Sequence, residues 1–225
     1  LSCLQKVILC ILAFWVTGYI FCLPRHLFHV PYSTVVTDRN EELLGARIAS
    51  DGQWRFPPRN TTPEKIKECL ITFEDKHFYH HWGVNPFAIG RAFYQNVKNK
   101  RIVSGGSTLT MQTIRLSRGG KPRTFREKFV EMVLATRLEL RCSKDEILAL
   151  YASHAPFGGN VVGLESAAWY YFGRSARDLS WAESALLAVL PNAPSLIHMK
   201  RNRERLREKR DRLLDRIRSG GHIDS

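Results

Sequence analysis

Hydrophobic positions at the start of the chain form one uninterrupted run. Residues 7–23 read VILCILAFWVTGYIFCL and carry no charge, with Lys6 before the run and Arg25 shortly after it. About 17 to 25 apolar residues are needed to cross the hydrocarbon layer of a bilayer. The run therefore predicts a transmembrane helix over about 7–23, within a membrane anchor of residues 1–25. The alternatives are a cleaved signal peptide, for which no small-x-small cleavage site follows the run, and a buried core helix.

The pattern becomes polar and β-branched after the anchor. Residues 33–56 place β-branched positions around a DRN turn and an SDG turn, which predicts a short hairpin or an extended stalk over 26–61. From Pro63 onward the periodicity is helical. Three helix-start signals support this prediction, and they are Thr62-Pro63-Glu64, Ser143-x-x-Glu146 and Ser180-x-x-Glu183.

Two further helices follow from the spacing of apolar residues. An amphipathic helix is predicted from Arg123 to Leu140, and the highly charged segment 200–225 carries a single apolar stripe. The first helix has Phe125, Phe129, Met132, Val133, Thr136 and Leu140 at helical intervals, and the second has Leu206, Leu213, Leu214 and Ile217. The sequence contains no βαβ pattern and no repeat. The predicted fold class is therefore mainly α, with a helical domain over 62–199.

Composition and charge narrow the class of protein. The chain has 225 residues, 44% of them hydrophobic, and a formal net charge of +13. This length suits one domain plus an appendage, and the apolar content argues against a disordered or low-complexity chain. The five cysteines form no CxxC pair, which argues against a disulfide framework or a zinc knuckle.

Much of the positive charge lies near the end of the chain. Ten Lys or Arg and four Asp or Glu fall between Lys200 and Arg218. We interpret this segment as a solvated helix that packs by its apolar stripe, with attraction to anionic lipid headgroups as the first alternative. Nucleic-acid binding is the second, but the predicted anchor and the lack of a recognised nucleic-acid module argue against it.

The first cluster of candidate catalytic residues lies where a helix is expected to end. Carboxylates, imidazoles and an aromatic ring are close together there, as Glu74, Asp75, Phe78, His81 and Gly83. A metal site was considered for this cluster, but the HExxH spacing of zinc proteases is absent. A surface acid is the simpler interpretation of Glu74 taken alone.

A second candidate segment combines glycines with hydroxyl residues. Gly105, Gly106, Ser107 and Thr108 open a helix that contains Gln112. Free N–H groups at a helix start, together with the helix dipole, suit phosphate oxygens. The segment is not a Walker A loop, because the Gly-Lys-Ser/Thr ending is missing. The alternative is a plain turn with an N-cap residue.

A basic cluster precedes Glu131. It consists of Arg115, Arg118, Lys121, Arg123, Arg126 and Lys128. Cations of this kind, followed by one acid on a helix, suit a substrate that bears a pyrophosphate leaving group. The alternative for Glu131 is an ion pair with Lys128, worth only about 0.2–0.5 kcal/mol.

Together these stretches resemble the five motifs of glycosyltransferase family 51, the peptidoglycan polymerase domain of class A penicillin-binding proteins and their monofunctional relatives. The matching stretches are Glu74-Asp75-x-x-Phe78-x-x-His81-x-Gly83, Gly105 to Gln112, Arg123-x-x-Arg126-x-Lys128-x-x-Glu131, Ile147 to Gly173 with Tyr151, and Ala182 to Pro194. The resemblance extends from about Tyr32 to Pro194. The segments STVVTDR and RIVSGGSTLTMQ look most like the penicillin-binding protein 1C type.

The resemblance implies a lysozyme-like α-helical fold and an inverting reaction. Lipid II would be polymerised into β-1,4 glycan strands with release of undecaprenyl pyrophosphate. Glu74 matches the general base, and Glu131 matches a second acid that acts at the donor side, with a divalent Mg or Mn ion on the pyrophosphate and no organic cofactor. The implied substrate and pyrophosphate positions are Arg115, Arg123, Lys128, Gly106, Ser107, Thr108 and Gln112. The implied supporting positions are Asp75, Phe78, His81, Gly83 and Tyr151.

The resemblance also implies a location and partners. The protein would cross the bacterial inner membrane once, with its catalytic domain in the periplasm, although Lys6 and Arg25 leave the orientation open on charge alone. Lipid II, the growing glycan strand, inner-membrane lipids, other cell-wall synthases and moenomycin-type inhibitors are the implied partners, and nucleic acid is not. An apolar region that dips into the membrane would be supplied by Phe87, Ile89, Phe93 and Tyr94.

Three departures from the family pattern bear on rate and substrate preference. Asn85 replaces a usual Asp, Ala152-Ser153 replaces Leu-Asn, and Arg115 replaces a frequent Lys. The last change keeps the charge but alters hydrogen-bond geometry.

Transpeptidase signatures are not found in the sequence. Neither SxxK nor KTG occurs in the 225 residues, so no acyl-transfer chemistry is expected of them. Segment 200–225 resembles the bridge to a transpeptidase domain, so the chain is expected to be part of a bifunctional enzyme. A monofunctional polymerase is the alternative. A glycan-cleaving lysozyme-like enzyme and a weakly catalytic scaffold that binds lipid II or partner synthases remain the alternative functions.

Overall fold

The anchor segment is a single long helix. The computed structural model describes residues 2–101, 105–122, 124–191 and 203–221. Helix α1 (Cys3–Phe21) is the one helix among these residues that is long and apolar enough to cross a membrane. None of its residues is buried. A core helix of a soluble protein would be buried, so the core-helix alternative is wrong.

Eight further helices make the protein mainly α, as predicted. They are α2 (Glu64–Glu74), α3 (Pro86–Lys98), α4 (Leu109–Ser117), α5 (Phe125–Glu139), α6 (Lys144–His154), α7 (Leu164–Phe172), α8 (Trp181–Val189) and, within the described residues, α9 (Arg203–Ser219). The capping boxes expected at Ser143 and Ser180 are both present. The predicted helix starts are therefore confirmed, because these hydroxyls satisfy N–H groups that the first turn leaves open.

The stalk contains the hairpin that its β-branched residues predict. Strands β1 (Thr34–Thr37) and β2 (Leu43–Arg47) pair antiparallel. Asp38 closes the turn between them, because its Oδ1 atom accepts hydrogen bonds from the N–H groups of Asn40 and Glu42 at 2.7 and 2.9 Å. An aspartate that binds the backbone two residues ahead is a common turn device.

A second small sheet attaches the stalk to the helical domain. Strand β3 (Trp54–Arg55) pairs in parallel with β5 (Val161–Val162), which pairs antiparallel with β4 (Pro156–Gly158). The same face of the domain holds Tyr32, whose hydroxyl contacts Nε2 of His154 at 3.1 Å. The stalk is therefore packed against α6 and the loop that follows it.

The core is built around α4. Leu109, Met111 and Ile114 are all fully buried, and the helix packs between α5 and α6. On the other side of the domain α2 packs against α8 and α9. Since α4 follows the Gly-Gly-Ser-Thr segment directly, the core fixes the position of that segment.

The predicted stripe of α9 faces this core. Leu206, Leu213 and Ile217 are buried, and Leu214 packs partly buried against them. The packing confirms the interpretation of a charged helix held by one apolar stripe. The mixed charges on its other faces are exposed to solvent.

The face of α5 that packs against the core is not the face that carries the predicted apolar stripe. The residues buried in the core are Glu131, Leu134, Ala135 and Leu138. The stripe that begins with Phe125 and Phe129 lies on the opposite side, where Phe125 is 98% exposed. The helix itself is confirmed, but its most regular apolar pattern does not mark the protein core.

Candidate active site

Glu74 is the last residue of α2 and faces a cleft. The chain leaves the helix at Asp75, whose backbone has φ −158° and ψ 75°. The Glu74 carboxylate accepts a 2.8 Å hydrogen bond from the side-chain amide of Gln112 on α4. A helix end next to a buried helix thus holds the predicted base at a defined position.

Tyr151 makes a long contact with the other end of the Gln112 amide. Its hydroxyl lies 3.5 Å from Oε1 of Gln112, and burial, together with the nearby charge of Glu74, raises the pKa of Tyr151 well above its usual range. The phenol is therefore protonated and can only donate to the amide oxygen. The amide nitrogen of Gln112 points to Glu74, so the contacts run in one direction, with Tyr151 donating to Gln112 and Gln112 donating to Glu74.

Glu131 approaches the same cleft from α5. The residue is 8% exposed, and its Oε2 atom lies 3.7 Å from Nζ of Lys128. The same Nζ donates to the hydroxyl of Ser107. The ion pair considered for Glu131 therefore exists, and it also connects α5 to the Gly-Gly-Ser segment. The packing keeps an acid, an ammonium group and a hydroxyl together.

Both glutamates line one cleft of about 530 Å³. Arg115, from the last turn of α4, enters the cleft as well. The predicted residues that line it are Glu74, Ser107, Gln112, Arg115, Glu131 and Tyr151. The structure therefore brings together a candidate base, a second acid and one cation, Arg115, suited to a phosphorylated leaving group. Lys128 does not line the cleft itself but contacts its residues Ser107 and Glu131.

A second lobe of the cleft, about 740 Å³, begins at the other side of Glu74. The two lobes share Glu74, Gly105 and Ser107. Basic and aromatic side chains line the second lobe, including Arg91 and Trp82. An elongated ligand can therefore occupy both lobes with its reacting atoms beside Glu74.

The supporting residues of the first motif connect the end of α2 to the start of α4. Asp75 accepts hydrogen bonds from Nε2 of His81 at 2.8 Å and from the N–H of Leu109 at 3.1 Å. The other ring nitrogen of His81 accepts from the N–H of Gly83 at 3.1 Å. His81 thus carries its proton on Nε2, and the turn after α2 is attached to the start of α4.

Gly83 and Gly106 are required for close backbone contacts. Gly83 has φ +81°, and a Cβ atom there would lie 2.7 Å from the carbonyl oxygen of Ala135. A Cβ atom on Gly106 would lie 2.8 Å from Cα of Ile89. The space around Gly106 therefore shows a packing reason for this glycine, beside the phosphate contact implied by the family resemblance.

Thr108 and Phe78 also have structural partners. The Thr108 hydroxyl donates to the carbonyl of Gly83 at 2.5 Å and accepts from the N–H of Met111 at 3.1 Å. Phe78 is fully buried, with Nζ of Lys144 4.5 Å from the centre of its ring. Arg123, predicted to bind phosphate, lies outside the described residues.

The sequence reasoning missed one charged cluster behind the site. Lys144 donates to Glu139 and to the carbonyl of His81, each at 2.7 Å, and Glu139 accepts from Thr110 at 2.5 Å. Thr110 and His81 are 29 and 63 residues away in the chain from the partners they contact, Glu139 and Lys144. Only the fold brings them together.

Few protein groups at the described site could bind a metal ion. The described residues contain no group of three or more His, Cys, Asp or Glu side chains that could hold an ion. Mg²⁺ is commonly bound through one or two carboxylates together with substrate phosphates. The Glu131 carboxylate suits that arrangement.

Comparison with known proteins identifies one family and several similar penicillin-binding proteins. The family model described as transglycosylase matches residues 41–218. Penicillin-binding protein 1C of Escherichia coli (strain K12) is 41% identical over 208 residues, 92% of this chain and 26% of that protein. Penicillin-binding protein 1F of Bacillus subtilis (strain 168) is 36% identical over 170 residues, 74% of this chain and 23% of that protein. Penicillin-binding protein 1A of Neisseria gonorrhoeae is 39% identical over 155 residues, 69% of this chain and 19% of that protein.

The chain thus spans about a quarter of the length of these relatives. The family match begins in the stalk, ends in α9, and includes the complete cleft. With the motifs, the fold and these relatives in agreement, the chain belongs to the transglycosylase family.

Proposed function

We propose that this chain is a peptidoglycan glycosyltransferase that polymerises lipid II into β-1,4 glycan strands. The observation that carries the proposal is the presence of Glu74 and Glu131 in one cleft with Arg115. The names of its relatives and family fit the same activity. Two acids on either side of a sugar centre are the pattern of inverting sugar chemistry.

Glu74 acts as the general base. The 4-hydroxyl oxygen of the acceptor sugar attacks the anomeric carbon of the donor, and its proton passes to the Glu74 carboxylate. The new C–O bond forms as the bond from the anomeric carbon to the pyrophosphate oxygen breaks, and the electron pair leaves with the pyrophosphate. The hydrogen bond from Gln112 orients the base for this step.

The cations of the cleft bind the leaving group. Arg115 and Lys128 neutralise charge that develops on the pyrophosphate, and Ser107, held by Lys128, supplies a further hydrogen-bonding group. Arg123 is assigned to the same set. Glu131 would hold a divalent ion together with the pyrophosphate, and such an ion, when bound, withdraws electrons from the leaving oxygen.

The membrane location follows from the substrate and the anchor. A lipid-linked donor and acceptor reach the cleft from the bilayer that α1 crosses. We assign α1 as a single span of the inner membrane and place the domain in the periplasm. Phe87, Phe93 and Tyr94 of α3 are exposed among the described residues, and Ile89 is half-buried, so three of the four side chains assigned to dip into the lipid present apolar surface outward.

Lipid II, the growing glycan strand and the membrane lipids are the proposed ligands. Moenomycin-type inhibitors would compete in the same cleft, and other cell-wall synthases are proposed as protein partners. Nucleic acid is not among the proposed ligands. A scaffold that binds lipid II without catalysis is the second candidate, because the same cations would bind the pyrophosphate.

The test is synthesis from labelled lipid II by the full chain in detergent, with Mg²⁺ or Mn²⁺. A ladder of glycan strands is expected from the parent protein. Glu74→Gln should lower the rate by about 10²–10⁴-fold, whereas Glu64→Gln, at the exposed start of the same helix α2, should not. A parent protein that binds lipid II without making strands would support the scaffold. Shortening of added glycan strands would support a hydrolase.

A further inference from the structure

The outer face of α5 is apolar and lies opposite the catalytic face. Phe125 is 98% and Phe129 63% exposed, and with Thr136 they lie on one stripe at helical spacing. Glu131 belongs to the buried side of the helix. A stripe of this kind normally faces a partner, and over its first two turns no described residue buries it.

The end of the anchor contacts this helix directly. The hydroxyl of Tyr19 lies 2.9 Å from the hydroxyl of Thr136. The guanidinium of Arg137 donates to the carbonyl oxygen of Ile20 at 3.1 Å. Thr136 is part of the outer stripe, so the stripe begins at the point where the anchor meets the domain.

A second arginine strengthens the junction. Arg141 donates to the carbonyl of Pro24, just beyond the end of α1. The last carbonyl groups of a helix have no partners within the helix and carry partial negative charge. Arg137 supplies a donor and positive charge to one of them, the carbonyl of Ile20, and Arg141 holds the segment just after the helix, so α5 is attached at the level where the chain leaves the membrane.

We propose that the outer stripe of α5 contacts the bilayer, at the boundary between lipid headgroups and acyl chains. The occupant of this face is lipid rather than a protein, because the stripe continues directly from the membrane-spanning helix. Phe125 and Phe129 would enter the acyl boundary. Arg126, exposed beside them, would face anionic headgroups.

This placement fixes the height of the cleft. Because Glu131 is on the other side of the same helix, it lies within about one helix diameter, 10–12 Å, of the lipid surface. The pyrophosphate of a lipid-linked substrate is found at that level. The contact with lipid itself does not depend on the proposed reaction.

The test places a photoreactive benzophenone amino acid at position 129 of the full chain. The protein is reconstituted in vesicles of phosphatidylethanolamine and phosphatidylglycerol and irradiated, and adducts are located by mass spectrometry. The matched control carries the same amino acid in place of Tyr170, a 61% exposed aromatic on α7. Phospholipid adducts at position 129 should exceed those at position 170 at least tenfold.

Two outcomes would overturn the inference. Lipid adducts at position 129 no more frequent than those at position 170 would contradict a lipid contact specific to the α5 stripe, and an adduct between position 129 and a second copy of the chain would show a protein interface. A second measurement uses Phe129→Asp, which should leave the melting temperature in detergent unchanged but lower lipid adducts from the same probe at position 125. Both readouts work on an inactive protein, so failure of the proposed function would not be mistaken for failure of the membrane contact.

Discussion

The side-chain amide of Gln112 donates a 2.8 Å hydrogen bond to the carboxylate of Glu74, and Tyr151 holds that amide from its other end. Gln112→Glu would put a second carboxylate against Glu74 and remove the donor. We expect kcat to fall at least tenfold, which corresponds to about 1.4 kcal/mol of transition-state stabilisation. Steady-state synthesis from lipid II measures this change. Tyr151→Phe removes only the weaker, 3.5 Å contact and should cost less, and the reverse order would contradict the proposed chain of donors.

The buried pair of Asp75 and His81 should contribute strongly to stability. His81→Phe removes the imidazole and leaves the Asp75 carboxylate buried with one remaining donor, the N–H of Leu109. Losing a buried hydrogen bond to a charged group costs about 1.5–3 kcal/mol. Thermal or urea unfolding in detergent measures the loss. The double variant Asp75→Leu with His81→Phe should lose less than the sum of the single variants, and strict additivity would show that the two side chains are not coupled.

Gly83 should tolerate no side chain. Gly83→Ala combines a positive φ with a Cβ atom 2.7 Å from the Ala135 carbonyl oxygen. Gly119→Ala is the matched control, because Gly119 has φ +72° but nothing within 4 Å of the added carbon. The control should lose about 1–2 kcal/mol from backbone strain alone. A larger decrease in melting temperature is expected for Gly83→Ala, and equal decreases would remove the close contact as the reason for this glycine.

A second pair of variants distinguishes close packing from backbone flexibility as the reason for the glycines in the Gly-Gly-Ser segment. Gly106→Ala places a Cβ atom 2.8 Å from Cα of Ile89, whereas Gly105→Ala meets nothing within 4 Å. Only the first variant must move the segment away from α3. We expect a clear loss of thermal stability for Gly106→Ala and little change for Gly105→Ala. If both variants behave alike, the glycine pair serves backbone freedom instead of packing.

His154 should make the stability of the stalk contact depend on pH. Burial lowers the pKa of His154 below its ordinary value of 6.5, and the charge of Arg55 acts in the same direction. The unfolded chain therefore binds a proton more readily than the folded one, and stability should fall as the pH is lowered through about 6.5. Above that pH the contribution is constant. Unfolding between pH 5.5 and 8 should show a smaller slope for His154→Gln, and an unchanged slope would contradict the buried neutral ring.

Helix starts could be predicted from the sequence because their signals are local. Ser143 and Ser180 cap the helices that follow them, as their spacing to Glu146 and Glu183 indicated. The pairing of β3 with β5 could not be predicted, since strands of two residues have no periodicity and the partners are far apart in the chain. The face of α5 could not be predicted either, because periodicity identifies an apolar side but not whether protein or lipid covers it.

For the candidate site, the motifs named several residues that the fold brings to one cleft, but not how each of them is used. Glu74, Arg115 and Glu131 line one cleft, in agreement with the motifs. Thr108 instead uses its hydroxyl on the backbone of Gly83 and Met111. A threonine before a helix has the same sequence signature in both roles, so only the three-dimensional contacts distinguish them.

The attachment of the stalk has a consequence for how substrates are found. Tyr32 contacts His154, and β3 pairs with β5, so the segment between the anchor and the domain is held at two places. A loosely connected domain could sample the space around its anchor and collect ligands from solution. A domain held in this way keeps a constant distance from the bilayer and a constant orientation toward it. For the lipid-linked substrates proposed above, encounters would then be two-dimensional, and their frequency would depend on lateral diffusion and on the density of those lipids in the membrane.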